Sequence, residues 1–505
     1  MSRRQTLRRD VSLAVLSRAR TAADHHEDLG CSILGPASRT VRRAHGWLKR
    51  EVQRLGEAQA TAQARRLVQR LEATPAYRRL GTGRTVAGRL ELKESVRFPD
   101  PRRFPPRVLH VRRGELAFDL DVKAAEWPAI ADCCAALAQG LSAGSRRLFS
   151  RVPTVRTFLD SLTAARWLEP HDGAAALPAA GFTFVGHNTT LVRDGGASVL
   201  VDPYFRPMSA IDLPSYPPMH ARDLGHVDAV CITHSHGDHF HLGSLLTLPR
   251  DTRIFVPPVE RESLFSTDCV ARLEQLGFSR VEAPGWHTSQ RVGPLTVHAL
   301  PFYGEQPTAG RGVYAGLFNE GSTWLVRGPT ASAAFFADSG DDVRGSMRDV
   351  CALARRGGPV DVLFCGVRGF RLKPIFFGFT TLDAYLVNVP RSALTTTQQL
   401  MASPREALEL AARLGARTLV PCADGGAPWY WREGMGPKYP GYPGEPVDGA
   451  SWHEENPDAD PYPERVEAAR RPDDARVVVL RPGEALDAGG RRPVSGFAWP
   501  FEALS

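Results

Sequence analysis

An apolar run, Val227 to Ile232, ends abruptly and is followed by Thr233-His234-Ser235-His236-Gly237-Asp238-His239. Val, Ile and Cys before the break read as a buried strand, and the glycine inside the polar run marks a tight loop. A strand end therefore delivers His234, His236, Asp238 and His239 into one small volume. The pair His234/His236 can point one way and Asp238/His239 another, which suits two metal ions side by side. Burying so many polar side chains without partners is costly, so a dinuclear metal site is the expectation.

With 505 residues there is material for two or three domains. Hydrophobic residues at 43% and charged residues at 23% give the balance of a soluble globular protein. No apolar run reaches the length of a membrane span. The first twenty residues carry six arginines and no long apolar core, unlike a secretory signal. Eight scattered cysteines form no C-x-x-C pair, and a chain this long needs no disulfide staples; reduced thiols in a cytoplasm are expected. The net charge of +8 is uneven, because residues 1–70 hold 15 Lys/Arg against 6 Asp/Glu. Such an arm can touch nucleic acid, an acidic protein or an anionic surface. No aromatic-interleaved arginine stretch accompanies the histidines, so nucleic acid ranks low.

Taken in order, residues 1–80 read as a basic helical arm, with Leu48, Val52 and Leu55 at helical spacing and a break at Pro75. Residues 81–172 read as an α+β accessory domain: an apolar hairpin around Arg113-Gly114, then helical patterns near 125–140 and 152–165, with a winged-helix-like end at Trp167-Leu168-Glu169. Residues 178–425 alternate strands and helices, which supports a layered α/β sandwich. Short strands are expected at Phe182–Val185, Thr190–Val192 and Ser198–Asp202, a helix at Ser263–Leu276, and a strand at Val313–Phe318. Ser403-Pro404-Arg405-Glu406 is a helix start, with a serine cap, proline in the first turn and glutamate three on from the cap. Residues 426–505 read as an extension wrapping the catalytic domain, with a final strand at Arg476–Leu480 rejoining the core.

The H-x-H-x-D-H run resembles the signature of the metallo-β-lactamase superfamily. That resemblance implies an αββα sandwich with a dinuclear metal site at one sheet edge. Gly186-His187-Asn188-Thr189 resembles a Gly-His-Ala-Thr segment in the superfamily's lactonase-like and phospholipase-D-like branches. Asp202 matches the first motif, whose aspartate holds a ligand in place. Asp338, in Ala337-Asp338-Ser339-Gly340, matches the aspartate that bridges both metals. Where the superfamily supplies a third histidine after Leu295–Pro301, this chain has Phe302-Tyr303-Gly304-Glu305, and His298 lies inside the strand. The last histidine is also missing: Pro421-Cys422-Ala423-Asp424 stands in its place, leaving Asp424, Cys422, His453 or water to fill it.

The implied shell is His234, His236 and Glu305 on one metal, Asp238 and His239 on the other, with Asp338 between. Two histidines and a carboxylate suit iron(II) and leave positions open for dioxygen. The pattern resembles the superfamily branch of diiron β-hydroxylases acting on a carrier-bound aromatic amino acid in chloramphenicol biosynthesis. There a ligating glutamate follows the histidine run by 65–70 residues; Glu305 follows His239 by 66. That branch carries an N-terminal domain for dimerisation and for meeting its carrier protein, which implies a homodimer and an acidic carrier as partners. The expected activity is therefore a diiron, O2-dependent monooxygenase. The alternative is a zinc or manganese metallohydrolase of lactonase or phosphodiesterase type, in which His187 or Asp424 assists proton transfer beside a metal-bound hydroxide.

Overall fold

The structure, a computed structural model, describes residues 4–17, 57–114, 116–205, 219–306, 312–367, 369, 371–372, 388–393, 396, 398–423, 469–494 and 497. Two sheets face each other. The first runs in the order Val281–Glu282, Arg253–Phe255, Ala229–Cys231, Ala197–Val201, Thr189–Asp194, Gly181–Gly186, Glu484–Asp487, Gly490–Pro493. The second runs Thr288–Val292, Leu295–Pro301, Ser322–Arg327, Ser332–Ala337, Val362–Cys365, Thr418–Pro421, Arg476–Val477. Each is part antiparallel, part parallel.

Strand alternation sorts the apolar side chains into layers. Val199, Val201, Ala229 and Cys231 face inward and meet Val297, Trp324, Phe335 and Phe364 of the second sheet. Leu200, Val230 and Ile232 point the other way. On the outer face of the second sheet, Leu325, Phe336 and Leu363 pack under the helices Met347–Arg355 and Pro404–Leu414. The latter begins with the expected capping box, Ser403 with Glu406, and ends on left-handed Gly415. This is the expected α/β architecture, an αββα sandwich.

The outer face of the first sheet is covered differently. Its own helices are short: Ala221–Leu224, Leu242–Leu245 and Cys269–Gln275. The remaining cover comes from the N-terminal unit, where Trp127, Ile130, Leu137, Phe158 and Leu162 join one continuous core with Leu200, Val230 and Ile254. Trp127–Ala138 and Pro153–Ala164 are the helices expected there, and Val108–Arg113 with Leu116–Asp121 is the expected hairpin.

Three expectations are corrected. Within the residues read as a helical arm, Gln5–Leu7 and Ser12–Leu16 are strands; the first pairs with Leu168–Pro170 and the second with Val108–Arg113. Pairing with strands roughly 90 to 165 residues away overrides local preference here, while Glu57–Ala73 is helical as read. The helix over Ser263–Leu276 is only Cys269–Gln275, because Asp268 caps it by accepting from the Ala271 N–H. Val313–Phe318 forms turns rather than a strand. The chain's end also carries a hairpin, Glu484–Asp487 with Gly490–Pro493, that closes the first sheet beside Gly181–Gly186.

The N-terminal strands are clasped to the sandwich. Arg9 reaches both oxygens of Asp223 at 2.6 and 2.7 Å, and Arg222 donates to the Leu7 carbonyl. His220 donates its Nε2 proton to the Arg9 carbonyl at 2.8 Å. Burial, with Arg222 and Arg9 adding to it against Asp223, pushes the His220 imidazole from 6.5 down to about 4. Below pH 6.5 the unfolded chain therefore binds a proton that the folded chain refuses. The stability is complete above pH 6.5, falls as pH drops toward 4 and then levels; the loss is at most about 3 kcal/mol by linkage. Denaturant melts at pH 7 and pH 5 are expected to show a larger drop in the wild type than in His220→Asn.

Candidate metal centre

Six chain segments end at one edge of the sandwich. His187 follows Gly181–Gly186, Asp202 follows Ala197–Val201, and the histidine run follows Ala229–Cys231. Glu305 follows Leu295–Pro301, Asp338 follows Ser332–Ala337, and Cys422 follows Thr418–Pro421. The backbone turns sharply at these ends. His187, Asp202, Glu305, Ala337 and Ala423 all take left-handed φ, between 41° and 55°. Each such residue costs on the order of 1–3 kcal/mol, and such strain concentrates at functional sites. Gly304, at φ 95°, precedes Glu305; a Cβ there would lie 2.3 Å from the Gly340 nitrogen, so only glycine lets the loop turn.

The histidine loop is tied across to the second sheet. The Ser322 N–H donates to the Thr233 carbonyl at 2.7 Å, and the Trp324 indole donates to the Ile232 carbonyl at 2.9 Å. Asp202 is fully buried, and its carboxylate accepts from the Thr233 N–H (2.7 Å), the Thr233 hydroxyl (2.5 Å), the Asn188 amide (2.6 Å) and His239 Nδ1 (2.7 Å). The last contact fixes the ring so that Nε2 faces the centre. Asp202 thus holds His239 in place.

Two groups of ligand atoms result. Those of His234, His236, Glu305 and Asp338 lie within 4.8 Å of one another, as do those of His187, Asp238 and His239. In the first group, His236 Nδ1 is 2.8 Å and His234 Nε2 3.4 Å from Glu305 Oε2. Asp338 Oδ2 lies 3.2 Å from His239 Nε2 and 3.8 Å from His234 Nε2, between the groups. In the second, His187 Nε2 is 3.2 Å from His239 Nε2 and 3.4 Å from Asp238 Oδ2. The Asp238 side chain is 43% exposed, whereas those of Glu305 and Asp338 are 6% exposed. One half of the centre is sealed and the other opens outward.

Charge explains why such a cluster needs cations. Burial pushes the Glu305 carboxyl up, against the pull of His236. Burial also opposes charge on His236, but Glu305, Asp238 and Asp338 outweigh it and raise the imidazole. His234, buried and facing the other imidazoles, is held well down and stays neutral. Although Asp238 is exposed on its outer flank, desolvation of the oxygen that faces His187 opposes ionisation, yet His239, His187 and His236 bring the carboxyl down to about 2. A neutral imidazole and ionised carboxylates are the forms that bind metal. Two divalent cations would balance the four carboxylates Asp202, Asp238, Glu305 and Asp338. Asp338 Oδ1 is buried without a hydrogen-bond partner, and His234 Nε2 faces His236 Nδ1 at 3.0 Å with room for one proton at most. The donor set therefore fits two metal ions.

The six ligand-type residues His234, His236, Asp238, His239, Glu305 and Asp338 come together. Asp424 and His453 lie outside the described residues. Cys422 is buried in the inter-sheet core and belongs to neither group. His298 pairs with the Ser289 hydroxyl at 2.7 Å, away from the centre. His187, read as a proton-transfer residue in the hydrolase alternative, stands among the ligand atoms beside His239. Its position directly after Gly186 at a strand end was the available signal. Asn319, which donates its side-chain amide to Glu305 Oε2 at 3.0 Å, has no counterpart in the sequence reading.

Asp202→Asn keeps the size but loses a charge and an acceptor for His239. Metal affinity is expected to fall about 10- to 100-fold, read by chelator competition, with the folded state retained.

Residues 197–422 match the family described as the beta-lactamase superfamily domain. Over 224 residues the chain is 30% identical to the 4-amino-L-phenylalanyl-[CmlP-peptidyl-carrier-protein] 3-hydroxylase of Streptomyces venezuelae. The match covers 41% of this chain and 40% of that protein, less than half of the relative's length. The crystal structure of CmlA, a diiron beta-hydroxylase from Streptomyces venezuelae, superposes with a TM-score of 0.52 at 18% identity, covering 98% of this chain and 100% of that one. A variant of the same enzyme gives 0.52 over 97% and 99%. At that identity the superposition speaks for the fold. Among the described residues no helix is long and apolar enough to cross a membrane. Motif, sheet order and converging strand ends agree with these matches: residues 197–422 match the beta-lactamase superfamily domain, the chain has the fold of that superfamily, and Glu305 carries its resemblance to the diiron β-hydroxylases.

Proposed function

We propose that this protein is a diiron oxygenase that hydroxylates an amino-acid or acyl group held on a carrier protein. The observation that carries the reading is the buried carboxylate of Glu305, 2.8 Å from His236 Nδ1, where relatives with hydrolytic chemistry would present a third imidazole. A carboxylate in that seat adds negative charge and hardens the donor set, favouring higher-valent iron over zinc. His234, His236, Glu305 and Asp338, with His187, Asp238 and His239, would hold two irons, which would supply the redox chemistry for activating dioxygen. The overall change inserts one oxygen atom into a C–H bond, giving C–OH; the other leaves as water, with two electrons and two protons from an external reductant.

The chain's own residues have three tasks in this. Asp202 and Thr233 hold His239 and the histidine loop. Phe302 stacks on His234 at 5.2 Å between ring centroids and helps keep water from the sealed half. The half-exposed Asp238 marks the side from which dioxygen and a tethered substrate approach. A carrier-bound substrate needs a partner surface, and the basic excess of residues 1–70 suits an acidic carrier. A homodimer and cytoplasmic localisation belong to the same proposal.

Metal analysis and a turnover assay test it. Protein expressed with iron, zinc and manganese together is expected to carry two irons per chain, show a visible absorption band, and add one oxygen atom to a carrier-bound aromatic amino acid only when oxygen and reductant are present. A colourless dizinc or dimanganese protein that cleaves esters or phosphodiesters without oxygen would replace the oxygenase by a metallohydrolase. Glu305→His is expected to shift metal preference toward zinc and to lower oxygen-dependent turnover by at least about 100-fold, with the melting temperature of the metal-free protein little changed.

A further inference from the structure

Glu305 sits on a loop, in left-handed backbone, so no strand or helix sets the direction of its side chain. What sets it is a bracket of two amides. The Gln306 side chain pairs in both directions with the main chain of Asn319: its Oε1 accepts from the Asn319 N–H at 3.0 Å, and its Nε2 donates to the Asn319 carbonyl at 3.0 Å. The same Nε2 also reaches the Gly304 carbonyl at 3.0 Å, closing the loop on itself. Arg344 donates to the Phe302 carbonyl at 3.2 Å and approaches the Asn319 carbonyl at 3.4 Å, tying the two segments from outside. Held in this way, Asn319 presents Nδ2 to Glu305 Oε2 at 3.0 Å.

That contact has a cost that its structural value alone does not explain. Asn319 and Gln306 are both buried, at 0% and 3% exposure. A carboxylate accepts only, so the amide must turn its nitrogen to Glu305. Its oxygen, Asn319 Oδ1, is then buried without a partner, an unfavourable arrangement. An apolar side chain of the same size would fill the space without it. We propose that Asn319 is a positioning residue, locked by Gln306, which aims the Glu305 carboxylate at the metal pair and holds one of its oxygens in a fixed orientation. Glu305 Oε2 is shared between the Asn319 amide and His236, so rotation of the carboxylate breaks both contacts together. The inference rests on Glu305 being a metal ligand; it is indifferent to whether the ions are iron or zinc.

The test uses cobalt(II), which reports its ligand set through its visible d–d bands and requires no turnover. Full-length protein stripped of metal is loaded with cobalt and challenged with a chelator, and the melting temperature of the metal-free form is measured in parallel. For Asn319→Leu, close to the same volume, the expected result is a folded apo-protein that binds one of its two cobalts about 10- to 100-fold more weakly, with a changed d–d spectrum for that ion. Two cobalts held against the same chelator with the wild-type spectrum would overturn the proposal. Should Asn319→Leu fail to fold, Gln306→Leu leaves the carboxylate and its donor in place but frees the donor to turn. There a smaller loss in the same ion's affinity, with the spectral change, is expected, and wild-type retention overturns the proposal. Because cobalt binding is read directly, a protein that proves to be a hydrolase leaves this result standing, and failure here leaves the oxygenase reading to its own assay.

Discussion

The carboxylate of Asp202 is the point on which the rest of the centre turns. From its own loop it accepts four hydrogen bonds in a site with no access to water: one from Asn188 on a second loop, and three from the histidine loop, given by the main chain and hydroxyl of Thr233 and by His239. An ionised group buried so deeply is tolerable only with such a complete set of donors. In satisfying it, the fold fixes three loops relative to one another and settles which nitrogen of His239 faces inward. The strained backbone of Asp202 is maintained by the same contacts.

Around that point the two halves of the centre differ in kind. One is enclosed, stacked against Phe302, and ends in a glutamate whose orientation comes from neighbouring amides. The other opens outward at Asp238 and draws His187 from a loop that belongs to the first sheet. The asymmetry follows from topology: the enclosed group joins the histidine loop to strands of the second sheet, whose helices Met347–Arg355 and Pro404–Leu414 lie behind it. The superfamily's shared fold leaves the chemistry undecided. What distinguishes this centre within that fold is the donor set, with the buried carboxylate of Glu305 beside His236.

The sequence revealed those features whose cause is local. The histidine run, the strand-ending Asp202 and Asp338, and the capping box at Ser403 are each written in a few adjacent residues. Glu305 was legible as well, through the absence of an imidazole where one was due. Features with non-local causes were hidden. Ser12–Leu16 became a strand because Val108–Arg113 was there to pair with it. His187 lies 52 residues from His239 in the chain but 3.2 Å from it in space, and no spacing rule connects the two. The bracket of Gln306 and Asn319 depends on a side-chain amide pairing with a main chain thirteen residues away. The short Cys269–Gln275 helix follows from Asp268 acting as a cap, where the expected helix began at Ser263.

The strand order also bears on how the molecule is assembled. Gly181–Gly186, the earliest strand of the sandwich in the chain, lies beside Glu484–Asp487, and Thr418–Pro421 lies beside Arg476–Val477. Both sheets are therefore finished by residues some 50 to 300 positions downstream of the strands they cover. Until the last of these has been synthesised, each sandwich layer keeps a raw border of unpaired amides and carbonyls, the kind of surface that invites pairing between separate molecules. Closure late in synthesis makes the nascent chain depend on protection from its neighbours, and it makes the C-terminal strands a seam that joins both layers at once.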